Sequence, residues 1–472
     1  MARAIGSTQP PFSHALTERA PGHLPPTSND PEWQKTLNDS LRRMAFIMSV
    51  GVIFIRFSMI HMVLAYELGT SFFLLYIFSI PALLGIVLSG GLRRAFQGRP
   101  AWYWTGFLIW MGITVPFSIW RGGSAGLVAS YARIEYPMLF VLAGAALSWR
   151  ECTTVMRAIA WSAVVVIMTG RMFSHEIGGQ RLGLAFGSMA NPNDFAAHMI
   201  LILPFLFWMG QSSKSIVVRL VAFCGVGYGI FQILLTASRG AIIALAVCVV
   251  FVFFRGAQRH RMALLILLPV VIALFVMVLP KSVVDRLSSF SASDADTQSE
   301  ALQSSELRQY ELTKSLTYTF QHPIFGVGPA EFAEYEGTHN QVIGTHGTYR
   351  DTHNTFTQIS SECGIPGFLI FVAGIVSTLL LLNVVYRQAH QRPDCNDIAL
   401  ALLCIMVGMI GFCVAITFLT FGYFFYLPAM GVLAIAVATG AKVEMQDRAS
   451  LPSPEVVPQW FVPAPVFKRT VR

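Results

Sequence analysis

Four short polar motifs carry the arginine, asparagine and histidine side chains of this chain that could do chemistry. In chain order they are Gln180-Arg181-Leu182-Gly183 with Asn191-Pro192-Asn193-Asp194, Thr236-Ala237-Ser238-Arg239-Gly240, Glu306-Leu307-Arg308-Gln309-Tyr310, and Thr352-His353-Asn354. The planar donors of arginine bind phosphate oxygens in pairs. Histidine titrates near neutral pH and can take a proton. These residue types therefore indicate anion binding and proton transfer, provided that the fold gathers them.

Each motif also has a simpler interpretation. Pro192 disfavours helix for the residue before it, so a helix should begin near Asn191 with free N–H groups that suit an anion. Asn-Pro-Asn is equally a common way to enter a helix. Arg239 lies between two short apolar runs, where it is costly unless it has a partner, a water-filled cavity or a lipid phosphate to reach. Arg308 alone could be a solvated helix residue.

Three histidines spaced seven residues apart, His339, His346 and His353, invite a metal interpretation. Gly344 and Gly347 interrupt the segment, so a continuous helix is not expected, and helical ligands would be four residues apart. No metal site is therefore predicted. The chain has no Walker motif and no G-x-G-x-x-G, which argues against ATP use, and no cofactor is predicted.

The composition places these motifs in a membrane protein. Of 472 residues, 54% are apolar and 12% are charged, and the mean hydropathy is +0.58. Soluble domains carry roughly 25% charged residues. A soluble enzyme, a disordered protein and a nucleic-acid-binding protein are thereby excluded. Transmembrane β-barrels need alternating segments of about 10 residues rather than continuous apolar runs.

Twelve apolar runs predict an all-α polytopic membrane protein with twelve transmembrane helices. The runs lie at about 44–65, 71–89, 101–120, 126–148, 154–170, 193–210, 220–236, 241–255, 262–279, 366–386, 397–420 and 423–440. The predicted organisation is a disordered cytoplasmic tail (1–43), spans one to nine (44–279), a long loop (280–365), spans ten to twelve (366–440) and a second cytoplasmic tail (441–472).

The positive charges predict the orientation. Short loops on one side hold twelve Lys and Arg residues and short loops on the other hold four, so both termini should face the cytoplasm. The loop 280–365 then lies on the outer side, where the four motifs gather. Thr297-Gln298-Ser299-Glu300 is a capping-box pattern that predicts a helix start in this loop. Leu312, Leu316 and Phe320 would form the apolar stripe of that helix.

The ordered set of motifs resembles the O-antigen ligase/polymerase family of polytopic glycan-transfer proteins. The matching elements are Arg181 with Asn191-Pro192-Asn193, Ser238-Arg239-Gly240, Arg308, His322-Pro323-Ile324-Phe325-Gly326-Val327-Gly328, His353-Asn354 and Glu362-Cys363-Gly364-Ile365-Pro366-Gly367. Each element is weak alone. The resemblance runs from about residue 170 to residue 420, including the position of the long loop before the last three spans.

The resemblance implies metal-independent transfer of a glycan from undecaprenyl diphosphate to an acceptor hydroxyl, on the periplasmic face of the bacterial inner membrane. Arg239 and Arg308, with Arg181 as a third candidate, would bind the diphosphate. His353 would be the catalytic base, although the duplicated Thr338-His339-Asn340 is a competing position. The supporting residues would be Asn191, Asn193, Ser238, Asn354, Gly326 and Gly328.

The acceptor stays open at this point. Lipid A-core is the first choice, which would make the protein an O-antigen ligase. An O-antigen or exopolysaccharide polymerase would use the same donor, with a glycan acceptor. A polysaccharide transporter or flippase is an alternative of another class, but it predicts inverted repeats and polar residues at mid-membrane. No internal repeat is visible, and the polar clusters lie at the outer ends of the spans rather than at mid-membrane. Arg56 is the exception, because it lies within a span. Membrane lipid is an expected partner, and nucleic acid is not.

Overall fold

The computed structural model describes residues 35–37, 39–70, 73–144, 146–177, 181–187, 189–256, 295–342 and 349–450, with scattered positions between 258 and 284. Over this part of the chain the fold is helical, apart from one antiparallel two-stranded ribbon. The predicted tail 1–43 falls largely outside the described residues, as do His346, Gln180 and most of the ninth predicted span.

The helices before the ribbon are α1 (Ser40–Ser58), α2 (Ile60–Leu68), α3 (Leu74–Leu88), α4 (Gly91–Ala95), α5 (Arg99–Thr114), α6 (Arg121–Ser130), α7 (Met138–Ala143) and α8 (Trp149–Met172). The ribbon consists of β1 (Ser174–Ile177) and β2 (Arg181–Leu184). The later helices are α9 (Pro192–Ser212), α10 (Ile216–Leu235), α11 (Arg239–Arg255), α12 (Ala295–Gln321), α13 (Phe332–Val342), α14 (Thr355–His390), α15 (Asn396–Ala415) and α16 (Tyr426–Ser450).

Six helices of the described chain are long and apolar enough to cross a membrane. They are α8, α9, α10, α14, α15 and α16. The pair α1 and α2, bent by 67° at Met59, would be a seventh span. The structure thus agrees with an all-α membrane protein, whereas the count of twelve spans stays a prediction.

The fourth predicted span, 126–148, is not one continuous helix. Helix α6 passes into a π turn over Tyr131–Glu135, in which the Tyr136 N–H donates to the Tyr131 carbonyl at 2.8 Å, and α7 begins at Met138. Pro137, at the break, lacks an N–H and cannot continue the helical hydrogen bonds. This segment is therefore helical but broken.

The core of the bundle is formed by α9, α15 and α16. Their apolar stretches are 78%, 83% and 89% buried, against 22% for α10 and 33% for α14. Helix α9 packs against α8, α10 and α15, so its N-terminus lies at the centre of one end of the bundle. Helices α10 and α14 expose apolar faces, as expected of helices in contact with lipid.

Helix α14 begins at Thr355, eleven residues before the start that the apolar pattern predicts. Its first turns are polar, with Gln358, Ser360 and Glu362, so hydropathy alone misses them. The helix is interrupted at Gly364, where φ is +71°. Beyond this break the helix is apolar, and the predicted boundary at 366 marks the break rather than the helix start.

The freed backbone at the break is paired with the segment His322–Gly328. The Ile365 N–H donates to the Pro323 carbonyl at 2.8 Å, and the Val327 N–H donates to the Ser361 carbonyl at 2.8 Å. A Cβ at Gly326 would lie 2.3 Å from the backbone carbon of Glu362, and φ at Gly326 is +69°. The loop therefore docks onto α14 through backbone contacts that exclude side chains.

Helix α12 starts at Ala295, so the capping-box pattern at 297–300 lies inside the helix rather than at its end. Its apolar stripe is present but faces outward, with Leu312, Leu316 and Phe320 exposed. The buried side is polar and includes Glu311 and Ser315. Helix α12 therefore meets α14 through its polar side, where Thr319 and Ser360 are joined by a hydrogen bond of 2.8 Å.

Replacing Gly364 by alanine should destabilise the protein. The new Cβ would lie 2.1 Å from the Ile324 carbonyl oxygen, at a φ that alanine rarely adopts. Such backbone strain alone costs about 1–3 kcal/mol. We expect the apparent unfolding temperature of the detergent-solubilised variant to fall by several degrees. Gly112 in α5 has nothing within 4 Å of a built Cβ, so Gly112→Ala is the matched control. Equal unfolding temperatures for both variants would contradict this account.

Candidate active site

Arg181 joins three elements at one end of the bundle. From β2, its Nε donates to the Thr236 carbonyl at 2.9 Å, and its Nη2 donates to Oδ1 of Asn193 at 3.1 Å. Thr236 closes α10 and Asn193 opens α9. The first two sequence motifs are thereby brought together, because one guanidinium binds the start of α9 and the turn between α10 and α11.

The N-termini of α9, α11 and α14 are each capped by a polar side chain. Asn191 accepts from the Asn193 N–H at 2.9 Å, and Ser238 accepts from the Ala241 N–H at 3.4 Å. Asn354 accepts from the N–H groups of both Phe356 and Thr357, at 2.9 and 3.1 Å. Three of the predicted supporting residues are thus N-caps.

The residues before two of these caps have left-handed backbone angles. Ala237 has φ +48° and precedes Ser238, while His353 has φ +47° and precedes Asn354. A non-glycine residue with positive φ is uncommon, and such strain is typical of functional sites. Arg239 directly follows Ser238 at the first position of α11. Both motifs therefore place one predicted site residue at a strained helix entry.

The connection between α15 and α16 links the starts of α11 and α14. A Cβ at Gly240 would lie 2.6 Å from the ring of Phe418, and Thr355 donates to the Leu419 carbonyl at 2.7 Å. With the Arg181 contacts, three helix N-termini lie at the same end of the bundle. Each carries a partial positive charge of about half a unit. This end is therefore suited to a negatively charged ligand.

His353 lies beside a buried carboxylate that sequence reasoning did not identify. Its Nε2 is 4.0 Å from Oε2 of Glu311, whose side chain is 1% exposed. Neither carboxylate oxygen of Glu311 has a hydrogen-bond partner among the described residues. Arg308 lies one turn before Glu311 on α12. The predicted base, the predicted loop arginine and the new carboxylate thus form one group.

The environment favours the uncharged form of both members of this pair, because it raises the pKa of Glu311 and lowers that of His353. Burial raises the pKa of Glu311 to about 7, and the positive charges of Arg350 and Arg308 oppose that rise. Burial, with the charge of Arg308, lowers the pKa of His353, while the charge of Asp351 opposes that effect. At neutral pH the imidazole is therefore mainly unprotonated and able to accept a proton.

The competing histidine lies in a different environment. His339 is on α13, is exposed, and stacks on the ring of Tyr335 with centroids 5.0 Å apart. His346 lies outside the described residues. Within the described chain no group of three His, Cys, Asp or Glu side chains could hold a metal ion. The absence of a metal from the mechanism stays a prediction.

Gly326 and Gly328 lie where the loop packs closely against neighbouring helices. The Gly328 N–H donates to the Glu362 carbonyl at 3.0 Å, and a Cβ at Gly328 would lie 2.1 Å from the Ser118 hydroxyl. The Glu362 side chain in turn accepts from the Tyr423 hydroxyl at 2.6 Å. These contacts hold the loop against the helices that carry the site.

Arg56, which sequence reasoning could not place, forms an ion pair with Glu135 in the π turn. Its guanidinium carbon lies 4.2 Å from the centroid of the Phe425 ring. The pair is thus a contact between α1, the broken helix segment and the start of α16. A carboxylate partner explains how this arginine is tolerated within an apolar helix.

Replacing Glu311 by glutamine should stabilise the protein more at pH 8 than at pH 5. Because the pKa of Glu311 is raised in the folded protein to about 7, the folded state loses stability as pH rises towards and through that value. Glutamine carries no charge and avoids this loss of stability. The apparent unfolding temperature of Glu311→Gln minus that of wild type should therefore grow with pH. Glu306→Gln, on the exposed side of α12, should show no such trend. The same difference at pH 5 and pH 8 would contradict the assigned environment.

Comparison with known proteins agrees with the motif order. A family model described as O-antigen ligase matches residues 224–372. No curated protein gives a significant match. The matched segment begins in α10, contains Arg239, Arg308 and His353, and ends in α14 just after the break. The resemblance seen in the motifs is thereby confirmed over residues 224–372, where this chain is similar to the O-antigen ligase family.

Proposed function

We propose that this protein transfers an oligosaccharide or polysaccharide from undecaprenyl diphosphate to an acceptor hydroxyl at the periplasmic face of the bacterial inner membrane. The observation that supports this most is the pair of His353 and buried Glu311, 4.0 Å apart, next to Arg308. The pair lies on the loop that docks at the start of α14. A proton acceptor and a phosphate-binding cation are the two groups that such a transfer needs.

The diphosphate would bind where the helix N-termini gather. Arg239 stands at the first position of α11, and Arg308 would approach from the loop. Arg181 adds positive charge while it holds the turn that precedes Arg239. A lipid diphosphate leaves with two to three negative charges, and paired arginine donors with helix dipoles can stabilise that charge without a metal. This is the basis for proposing metal-independent transfer.

His353 would take the proton of the acceptor hydroxyl. The acceptor oxygen then forms a bond to the anomeric carbon, and the bond from that carbon to the diphosphate oxygen breaks with its electron pair on the diphosphate. With the Nε2–H directed at Glu311, the other ring nitrogen is available to the acceptor. The 4.0 Å separation exceeds a hydrogen bond and would shorten when substrates bind. Glu311 would stabilise the resulting imidazolium.

The proposed topology has twelve spans and places both termini in the cytoplasm. The loop 280–365, with α12 and α13, would then lie in the periplasm. The three helix N-termini would face the same compartment, because α9, α11 and α14 all begin at that end of the bundle. Donor and acceptor would meet there at the level of the lipid headgroups. Lipid A-core is the acceptor that we propose.

A strain that lacks this gene should make lipid A-core without O-polysaccharide, and wild-type protein should restore the polysaccharide. His353→Ala should fail to restore it and should lower the initial rate of transfer in isolated membranes about 10²–10⁴-fold, because the base is lost. His339→Ala, in which the ring stacked on Tyr335 is removed, should restore it. The readout is the lipopolysaccharide profile, with protein amount measured in the same membranes.

Three results would count against the proposal in different ways. Lipid A-core that carries a single repeat unit in the deletion strain would indicate a polymerase that uses the same donor. Full activity of His353→Ala would remove this residue from the site. Accumulation of the donor on the cytoplasmic face in the deletion strain would indicate a transporter.

A further inference from the structure

The outward side of α12 carries a row of apolar side chains that no other described element covers. The row consists of Leu312, Leu316 and Phe320 of α12 and Ile324 directly after it, which are 37%, 42%, 73% and 56% exposed. The first three residues are four apart and so follow one side of the helix, and Ile324 lies in the turn after it. Exposing such a row to water is unfavourable. We refer to these four residues as the α12 stripe.

The α12 stripe continues into the apolar surface of a membrane-spanning helix. The Ile365 N–H donates to the Pro323 carbonyl at 2.8 Å, so the end of the stripe lies at the break in α14. Beyond the break, Ile365 and Leu369 are 37% and 58% exposed on α14. This is where the apolar, lipid-facing part of α14 begins. The stripe and the span therefore form one apolar surface.

Polar residues border the stripe on the side away from α14. Thr313 and Thr317 are exposed and lie one residue on from Leu312 and Leu316, which is about 100° around the helix. On the other side, Thr319 meets Ser360 of α14 at 2.8 Å. The exposed half of α12 thus changes from apolar beside the span to polar farther from it. That gradient is typical of a helix lying at a membrane surface.

We propose that α12 lies along the membrane surface, with the α12 stripe inserted among the acyl chains of bilayer lipids. Thr313 and Thr317 face water, and the buried side with Glu311 faces α14. Lipid is the occupant because the stripe is continuous with the lipid-facing surface of α14. Phe117, 56% exposed, extends the same surface, since its ring stacks at 3.8 Å on that of Phe325. The bilayer thereby fixes the height at which α12 holds Arg308.

The test uses single nitroxide labels on the full-length protein in lipid nanodiscs. Cysteines are introduced at Leu312 and Leu316, and at Thr313 and Thr317 as matched controls that lie one residue on, about 100° around the helix. The two native cysteines that are not buried, Cys224 and Cys413, are replaced by serine. Collision with oxygen, which concentrates in hydrocarbon, is compared with collision with a water-soluble nickel chelate. The oxygen-to-nickel ratio should be several-fold higher at 312 and 316 than at 313 and 317.

Two outcomes would overturn the proposal. Equal ratios at all four positions would place the α12 stripe in water. Labels at 312 and 316 that are immobile and screened from both reagents would show that protein covers the stripe, as in contact with a second copy of the chain. The measurement involves no glycan transfer. A failure of the proposed function therefore leaves it unaffected, and its own failure leaves the role of His353 standing.

Discussion

The break in α14 at Gly364 leaves backbone N–H and carbonyl groups without partners in the helix, and these groups form hydrogen bonds with the loop segment His322–Gly328. The geometry of the candidate site depends on that pairing. An unpaired N–H or carbonyl at the edge of a membrane is expensive, so the break and the segment require each other. Trp110 completes the pairing, because its ring N–H donates to the Cys363 carbonyl at 2.8 Å. The loop is thereby held on a transmembrane helix by contacts that a side chain at Gly326 would prevent.

Buried carboxylates then set the position of α12 within the loop. Glu336 of α13 accepts hydrogen bonds from Tyr310 and Tyr318 of α12. Glu362 fixes the turn between the docked segment and α13, because it accepts from the N–H groups of Ala330 and Phe332 at 3.2 and 3.3 Å. These carboxylates accept hydrogen bonds, whereas Glu311 accepts none from the described residues and lies 4.0 Å from His353. This difference distinguishes a structural carboxylate from one placed beside the candidate base.

Sequence reasoning identified what hydropathy and motif order report directly. Apolar runs indicated a helical membrane protein, and Arg181, Asn193 and Arg239 were grouped because their motifs lie at the same ends of successive spans. It missed Glu311, because a single carboxylate on a helix with an apolar stripe gives no sign that it faces inward. The usual assumption that the apolar side is buried fails for α12, since lipid rather than protein can cover that side. The start of α14 was missed because its first turns are polar, and hydropathy detects only the apolar part of a helix.

We propose that arginines and helix N-termini bind a lipid diphosphate without a metal. The most direct test of this proposal is the affinity of the purified protein in nanodiscs for undecaprenyl diphosphate with EDTA present. We predict that EDTA does not change the affinity. Arg239→Ala should weaken binding at least about tenfold, because a charge-assisted pair is lost. Arg239→Lys should restore the affinity in part. Arg121→Ala, which changes an exposed arginine, should bind with wild-type affinity. Binding that requires added Mg²⁺, or that is unchanged in Arg239→Ala, would contradict the account.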